Sequence, residues 1–555
     1  MKIQADVLRI YKAVHTWTGI IAGLALFIAF YAGALTVFKY DLAAWVSPPM
    51  HDTRPVAIQD AGRLIDQTLA AHPEASRDFR LTLRATDAEP AQLSWKSQDG
   101  TRQYHAVLDG EGALKISERA PTDVAELVDY LHRTAGFVPG NLDAGVLAIG
   151  VIAMMYGLAL VSGIVILLPT LAKDLFALRL GKNLKVLWKD AHNAIGFFSL
   201  PFHVIIALTT VVFAFHEPIY DIQNHLIYDG KLRTLWTLPA PPIDVPDAAA
   251  TGAAQTATRQ GAAVPPAQAV PSAPSRSAIA PVAPPAQLLH TLRVLSPGFE
   301  PEYMHYRGLA GDRPTVRVHG VDPDYMMRYD AFAIMDPFTG SIINGAYLPG
   351  HTTGWTRWLA VFFALHFATF GGAVVQWLYF LLALAGAFLF YSGNLLWMES
   401  RRRRARESGL PEQKTSVRIL SALTVGVCLG CVAGVSASLV TGKWLHGLVP
   451  NLNSWHIVVY YAVFFLSIVW AFLRGAARGA VELLWLCAAA TIAIPLTSLA
   501  GWLQPATGLW ANTSQASVGV DLTAAVGALC MIWMARAARR RQARGQRDSI
   551  WAGAA

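Results

Sequence analysis

Residues 190–203 read D-A-H-N-A-I-G-F-F-S-L-P-F-H and run into an apolar stretch that continues to about residue 215. A membrane-spanning helix needs about 20 predominantly apolar residues. The stretch therefore reads as a span with His192 at its head and His203 inside it. Working outward, the H-x-x-x-G of 192–196 recurs as H-T-W-T-G at 15–19, at the head of the first apolar run. Leu131-His132 precedes a second run that ends in Ser162-Gly163, and Leu365-His366 precedes another that ends in Ser392-Gly393. Residues 1–170 and 185–400 thus form two copies of one unit: helix, small α+β segment, LH segment, helix. Parallel tandem repeats in membranes pack about an axis along the bilayer normal. Equivalent residues then face each other across that axis.

About eight runs are long enough to span: roughly 16–38, 145–168, 194–215, 373–397, 417–440, 456–473, 480–502 and 518–535. The first is too long for a signal-peptide core and is followed by no small-x-small cleavage site. Composition agrees, with 54% hydrophobic and 15% charged residues, against roughly 25% charged in an average soluble domain. The formal net charge of +8 does not point to nucleic acid, because Lys and Arg gather between the apolar runs. They do so in 169–190 (Lys173, Arg179, Lys182, Lys185, Lys189), in 398–416 (Arg401, Arg402, Arg403, Arg404, Arg406) and in the tail (Arg536, Arg539, Arg540, Arg541, Arg544, Arg547). Eight spans put all three on the side of the N-terminus, which the positive-inside rule makes cytoplasmic. The expected location is a bacterial inner membrane with both termini inside.

The expected fold is a multi-pass α-helical membrane protein carrying two small α+β extracytoplasmic domains. The divisions are 1–40 (first span), 41–144 (first polar domain), 145–216 (spans 2 and 3 with a basic loop), 217–354 (second polar domain), 355–405 (LH segment and span 4) and 406–555 (spans 5–8). In the first domain a helical pattern near 57–72 precedes the alternating runs FRLTLRA, AQLSWKS, QYHAVLD and ALKIS. In the second, AQLLHTLRVL precedes EYMHYRG, TVRVHG, AFAIMD and SIINGAY. The Ala/Pro-rich segment 243–284 reads as a disordered insertion. All four cysteines, Cys428, Cys431, Cys487 and Cys530, lie in apolar runs. Cys428 and Cys431 form a C-x-x-C within a run of small residues, which reads as helix packing ahead of redox chemistry. No G-x-G-x-x-G on a βαβ unit is present, so no nicotinamide or flavin site is visible.

Of sixteen histidines, five stand out beside or inside spans: His15, His132, His192, His203 and His366. Ionisable residues there are costly and face the bundle interior. His192 and His203 lie eleven residues apart, about 16 Å of rise at nearly one azimuth if the helix is continuous. Stacked histidines on one helix suit two haems at different depths. By symmetry His15 pairs with His192 near the cytoplasmic face and His132 with His366 near the outer face, while His203 could replace a member of either pair. Gly19 and Gly196 would leave room for a flat macrocycle. A non-haem metal or a proton relay are the other readings of the same histidines. His216, His351, His446 and His456 need no more than an interfacial polar role.

At these residues the sequence resembles the PepSY-associated transmembrane proteins. The matching features are H-x-x-x-G at 15–19, LHR at 131–133, SGIVILL from Ser162, the 190–203 run, LHFATFGG from Leu365 and SGNLLWMESRRR from Ser392. The two α+β segments look like PepSY domains, and the resemblance covers roughly residues 1–405. The family includes iron-regulated membrane proteins and membrane siderophore reductases. The resemblance implies two b-type haems on the same five histidines and reduction of a ferric siderophore or other ferric chelate on the periplasmic side. The electron donor, a quinol or a cytoplasmic reductase, stays open. The insertion and the four spans after residue 410 depart from the compact family pattern. Two rivals stand beside a haem reductase: a non-enzymatic protein that binds or regulates a periplasmic protease or peptide, and a permease component using spans 5–8.

Overall fold

The computed structural model describes residues 4–49, 57–84, 93–119, 122–171, 184–231, 280–327, 331–407, 414–544 and 551. The helices, in chain order, are α1 (Ala5–Thr36), α2 (Lys39–Val46), α3 (Ala61–Ala71), α4 (Val124–Thr134), α5 (Leu142–Leu167), α6 (Leu184–Phe198), α7 (Leu200–Leu226), α8 (Pro285–Leu295), α9 (Gly354–Phe367), α10 (Gly372–Glu407), α11 (Thr415–Trp444), α12 (Leu452–Leu503) and α13 (Gln515–Arg544). The strands are β1 (Asp78–Thr82), β2 (Leu93–Lys96), β3 (Gln103–Leu108), β4 (Leu114–Arg119), β5 (Glu300–Arg307), β6 (Thr315–Val321), β7 (Ala331–Met335) and β8 (Ile342–Tyr347). The chain forms two compact units. A helical unit takes residues 1–49, 120–232 and 365–555, and a sheet unit takes 50–119 and 233–364.

In the helical unit, among the described residues, seven helices are long and apolar enough to cross a membrane: α1, α5, α7, α10, α11, α12 and α13. Their outer faces are apolar. On α5, Leu147, Val151, Met154, Leu158 and Val161 are exposed at helical spacing, as expected of a lipid-facing stripe. Helix α12 is 52 residues long but contains Gly475 at φ 73°, ψ 158°, a region open essentially to glycine alone. Across it Trp470 donates to the Glu482 carboxylate at 2.7 Å, and a Cβ on Gly479 would stand 3.2 Å from the Ala471 Cα. A straight helix would separate residues 471 and 479 by about 12 Å. The chain therefore reverses at Gly475, and α12 is a hairpin of two apolar helices.

The third apolar stretch is not one continuous helix. Helix α6 ends at Phe198 and α7 begins at Leu200, with Ser199 at φ −90°, ψ 5° and Pro201 in the first turn of α7. Proline has no N–H to give the preceding turn and its ring crowds the carbonyl four residues back. His192 and His203 still face the same neighbour across this break: a Cβ on Gly393 of α10 would lie 3.7 Å from His192 Cε1 and one on Gly386, two turns away on the same helix, 3.1 Å from His203 Cε1.

Helix α11 is the buried centre of the C-terminal region. A Cβ on Gly426, Gly430 or Gly434 would come within 3.0 Å of Ile468, Ser467 or Tyr460 of α12. Small residues at four-residue spacing allow this close backbone approach. Cys428, Cys431 and Cys487 are free thiols buried in the same packing, as the small-residue run predicted.

The sheet unit departs from the picture of two separate domains. Its eight strands form one antiparallel sheet in the order β4-β3-β2-β1-β5-β6-β7-β8. Each half is a helix followed by a four-stranded meander, and the halves join where β1 pairs β5, from Asp78 opposite Arg307 to Thr82 opposite Tyr303. Both would otherwise be edge strands with unpaired backbone groups. Phe79, Leu81, Leu93, Met304, Tyr306, Val316 and Val318 alternate onto one face and bury against Leu64 and Ile65 of α3 and Leu288 and Leu292 of α8. Of the Ala/Pro-rich insertion 243–284, residues 243–279 lie outside the described residues. Its last residues are ordered: Ala283 is buried, and its N–H donates to the Pro337 carbonyl at 2.8 Å.

Candidate functional site

Four of the five singled-out histidines meet as two pairs inside the helical unit. His15 of α1 faces His192 of α6 with ring centres 6.4 Å apart and planes at 87°. His132 of α4 faces His366 of α9 at 6.0 Å and 43°. These are the pairs expected from the repeat.

In every case Nδ1 is held and the ring is oriented by one hydrogen bond. His15 Nδ1 lies 2.8 Å from the Ala159 carbonyl, and His132 Nδ1 lies 2.8 Å from the Ala29 carbonyl. His192 Nδ1 lies 3.0 Å from Ser392 Oγ, whose own hydrogen goes to the Leu389 carbonyl. His366 Nδ1 lies 2.7 Å from Thr209 Oγ1, whose hydrogen goes to the Ile205 carbonyl. The Ala159 and Ala29 carbonyls can only accept, so Nδ1 carries the proton in His15 and His132 and Nε2 keeps its lone pair; with the Ser392 and Thr209 hydrogens given to backbone carbonyls, the same tautomer holds for His192 and His366. A metal-binding histidine is set in the same way, by the bond its other nitrogen makes.

Glycines make room for the rings. A Cβ on Gly33 would lie 2.8 Å from His132 Nδ1, and one on Gly163 would lie 3.1 Å from His15 Cε1. Gly393, the repeat equivalent of Gly163, faces His192 Cε1 at 3.7 Å. The Ser-Gly pairs that marked the repeat in sequence are thus the support of the histidines: Ser162 also approaches His15 Nδ1, at 3.4 Å. At Gly19 a Cβ would meet nothing within 4 Å, and at Gly196 only Leu389 at 4.0 Å. Ala29, Gly33 and Thr209 carried no sequence signal, since they act through a carbonyl, a missing side chain and one hydroxyl.

His203 belongs to neither pair. It is fully buried, and neither ring nitrogen has a hydrogen-bond partner among the described residues. Phe30, Tyr156 and Phe202 surround it at 5.4–6.0 Å. It precedes Thr209, the support of His366, by six residues on α7, about 9 Å of rise. Its level lies between the two pairs. The pairs themselves are separated by about 21 Å along α1, from His15 to Ala29.

Two imidazoles on opposite sides of one metal, each about 2 Å from it with the ring centre about 1 Å beyond the nitrogen, would have centres about 6 Å apart. Both pairs match that spacing. Among the described residues no group of three or more His, Cys, Asp or Glu is placed to hold a metal ion. Such pairs suit a metal that brings its remaining donors with it, as haem iron does.

Near His446 and His456 in sequence, Trp444 and Trp455 are about half exposed, as interfacial aromatics are. His456 is instead buried, with Nδ1 3.2 Å from the Ser438 carbonyl. Sequence reading also passed over Lys443, which is fully buried. It donates to the Trp510 carbonyl at 3.1 Å and to Ser498 Oγ at 3.3 Å, over the face of Trp45 at 3.9 Å.

The architecture and the paired histidines define a helical membrane protein whose sheet unit is inserted between its helices. The chain belongs to the family of the PepSY-associated TM region, whose model matches residues 13–400. That range holds both histidine pairs and stops before α11. A comparison with curated proteins gives no match.

Proposed function

We propose that the protein is an inner-membrane oxidoreductase that carries two b-type haems and reduces a periplasmic ferric chelate, such as an iron-loaded siderophore, for iron uptake. The observation that carries the reading is the pair of facing histidines, repeated at two depths, with each Nδ1 anchored and each Nε2 lone pair available. His15 and His192 would hold one haem and His132 and His366 the other. Bound there, haem supplies one-electron redox chemistry. The chain itself fixes the tautomer of each ligand through Ala159, Ser392, Ala29 and Thr209, and leaves ring space at Gly33 and Gly163. Phe30, Tyr156, Phe202 and Phe390 keep water from the interior. Reduction lowers the charge of the chelated iron, and hard oxygen donors then hold it less tightly.

In this reading the hairpin of α12 brings the crossings to eight, both termini are cytoplasmic and the sheet unit is periplasmic. The test is a pyridine haemochrome assay on protein purified from haem-replete cells, with two b-type haems per chain expected. Dithionite-reduced protein should then be reoxidised by a ferric siderophore. A colourless preparation, or reduced protein indifferent to ferric chelates, overturns the proposal.

A further inference from the structure

The family match ends near residue 400, and the helices after it carry no histidine pair. They do, however, grip α4, the short helix that bears His132. At its N-terminus the Asp123 N–H donates to Asn453 Oδ1 at 2.9 Å, and Asn453 Nδ2 donates back to the Asp123 carboxylate at 2.9 Å. Two groups at the helix start are thus satisfied by one amide side chain from α12. At the C-terminus α4 ends on Ala135 in the left-handed region at φ 51°, followed by Gly136 at φ 78°. The Tyr461 hydroxyl, also from α12, donates to the Phe137 carbonyl at 2.6 Å. Asn453 and Tyr461 lie eight residues apart, about 12 Å along α12, and α4, 11 residues long, spans about 16 Å.

The flank of α4 is covered as well. Val124, Leu127, Val128 and Leu131 bury against Tyr460, Phe464, Cys431 and Val435. Helix α2 packs on the same cluster, and Lys39 reaches Glu126 at 2.8 Å. Helix α2 is itself held by the C-terminal region. Asn512 donates to the Ala44 and Ser47 carbonyls at 2.6 and 2.9 Å. Trp45 donates to Asp521 at 2.8 Å, and the Lys443 ammonium sits over the Trp45 ring.

We infer that the C-terminal helices serve as a clamp on α4 that sets the position of His132 opposite His366, with Asn453 and Tyr461 as its positioning residues. The inference rests on the proposal that this pair holds a haem. Ligands must be held within fractions of an ångström and their supports tune the metal. A ring fixed only by its Ala29 hydrogen bond could tilt with its helix. Asn453 and Tyr461 hold the helix at both ends, at the His132 side of the bundle, whereas the C-terminal contact nearest His192 is made by another helix, where Asn394 donates to Thr424 of α11 at 3.2 Å.

The test compares Tyr461→Phe and Asn453→Ala with Arg474→Gln, a change in α12 remote from α4, in the full-length protein. Hydrogen exchange at the amides of residues 124–137 should speed up roughly tenfold in the first two, as expected from losing one or two hydrogen bonds, and stay unchanged in the third. The ferric low-spin spectrum should shift for one haem of the two. Unchanged exchange in both variants overturns the clamp, whether or not haem is bound. Faster exchange with an unmoved spectrum, or with both haems shifted equally, overturns its role in placing His132. A wild-type chain free of haem overturns the proposed function instead, while the exchange data still decide the clamp.

Discussion

His15 and His192 face each other with their ring planes perpendicular, at 87°, whereas His132 and His366 are turned by only 43°. Perpendicular axial imidazoles leave two of the iron d orbitals nearly equal in energy, which makes a low-spin ferric haem strongly anisotropic. If the two pairs hold haem as proposed, electron paramagnetic resonance of the oxidised protein should resolve two low-spin signals, one with a much larger maximum g value. His192→Ala should remove that signal, and His366→Ala the other. Loss of the same signal in both variants would refute the pairing.

Gly33 offers a steric test. A Cβ there would stand 2.8 Å from His132 Nδ1, closer than the ring can tolerate without leaving the Ala29 carbonyl. Under the proposed function, Gly33→Val should cost the haem assigned to His132 and His366, giving about one haem per chain in a stoichiometric assay. Gly19→Ala, where a Cβ meets nothing within 4 Å, should retain two.

Much of this site is legible in sequence because its signals are local. H-x-x-x-G, LH and Ser-Gly recur at matching places in two copies, and symmetry alone then pairs His15 with His192 and His132 with His366. What escaped is non-local or depends on one backbone torsion. The break at Ser199, beside Pro201, divides the third apolar stretch into two helices. The β1–β5 seam joins strands more than two hundred residues apart, and neither strand names its partner. Asn453 and Tyr461 look like ordinary interfacial residues until the fold sets them against the two ends of α4.

His203 should prove dispensable for cofactor content. Its imidazole is buried with both nitrogens unpartnered among the described residues, and an unsatisfied buried polar group costs about 1–3 kcal/mol. His203→Leu keeps a similar volume and removes that cost. Two haems per chain and an equal or higher unfolding temperature in detergent are expected. A chain with one haem would return His203 to the ligand set.

Asp78 provides the pH test, at the seam of the sheet. It accepts from His305 Nε2 at 2.7 Å and lies 3.3 Å from Arg307 Nε, both on the neighbouring strand β5. Burial alone would raise its pKa, but the hydrogen bond from His305 and the charges of His305 and Arg307 outweigh burial and hold the carboxyl below its usual range. A carboxylate depressed in the folded state stabilises above its unfolded pKa, and the contribution is lost as pH falls through the folded value. The Asp78 side chain is 57% exposed, so solvent screening limits the contribution to about 0.5–1 kcal/mol. Asp78→Asn should lower the stability of the sheet unit by that amount at pH 7. The gap between wild type and variant should close below about pH 4, as the wild-type carboxyl protonates. Chemical unfolding followed by the near-ultraviolet signal of Trp95 and the stacked Phe79–Tyr306 pair, whose ring centres are 4.6 Å apart across the seam, would measure it. An equal gap at pH 7 and pH 3 would place the effect of the substitution outside the Asp78 charge.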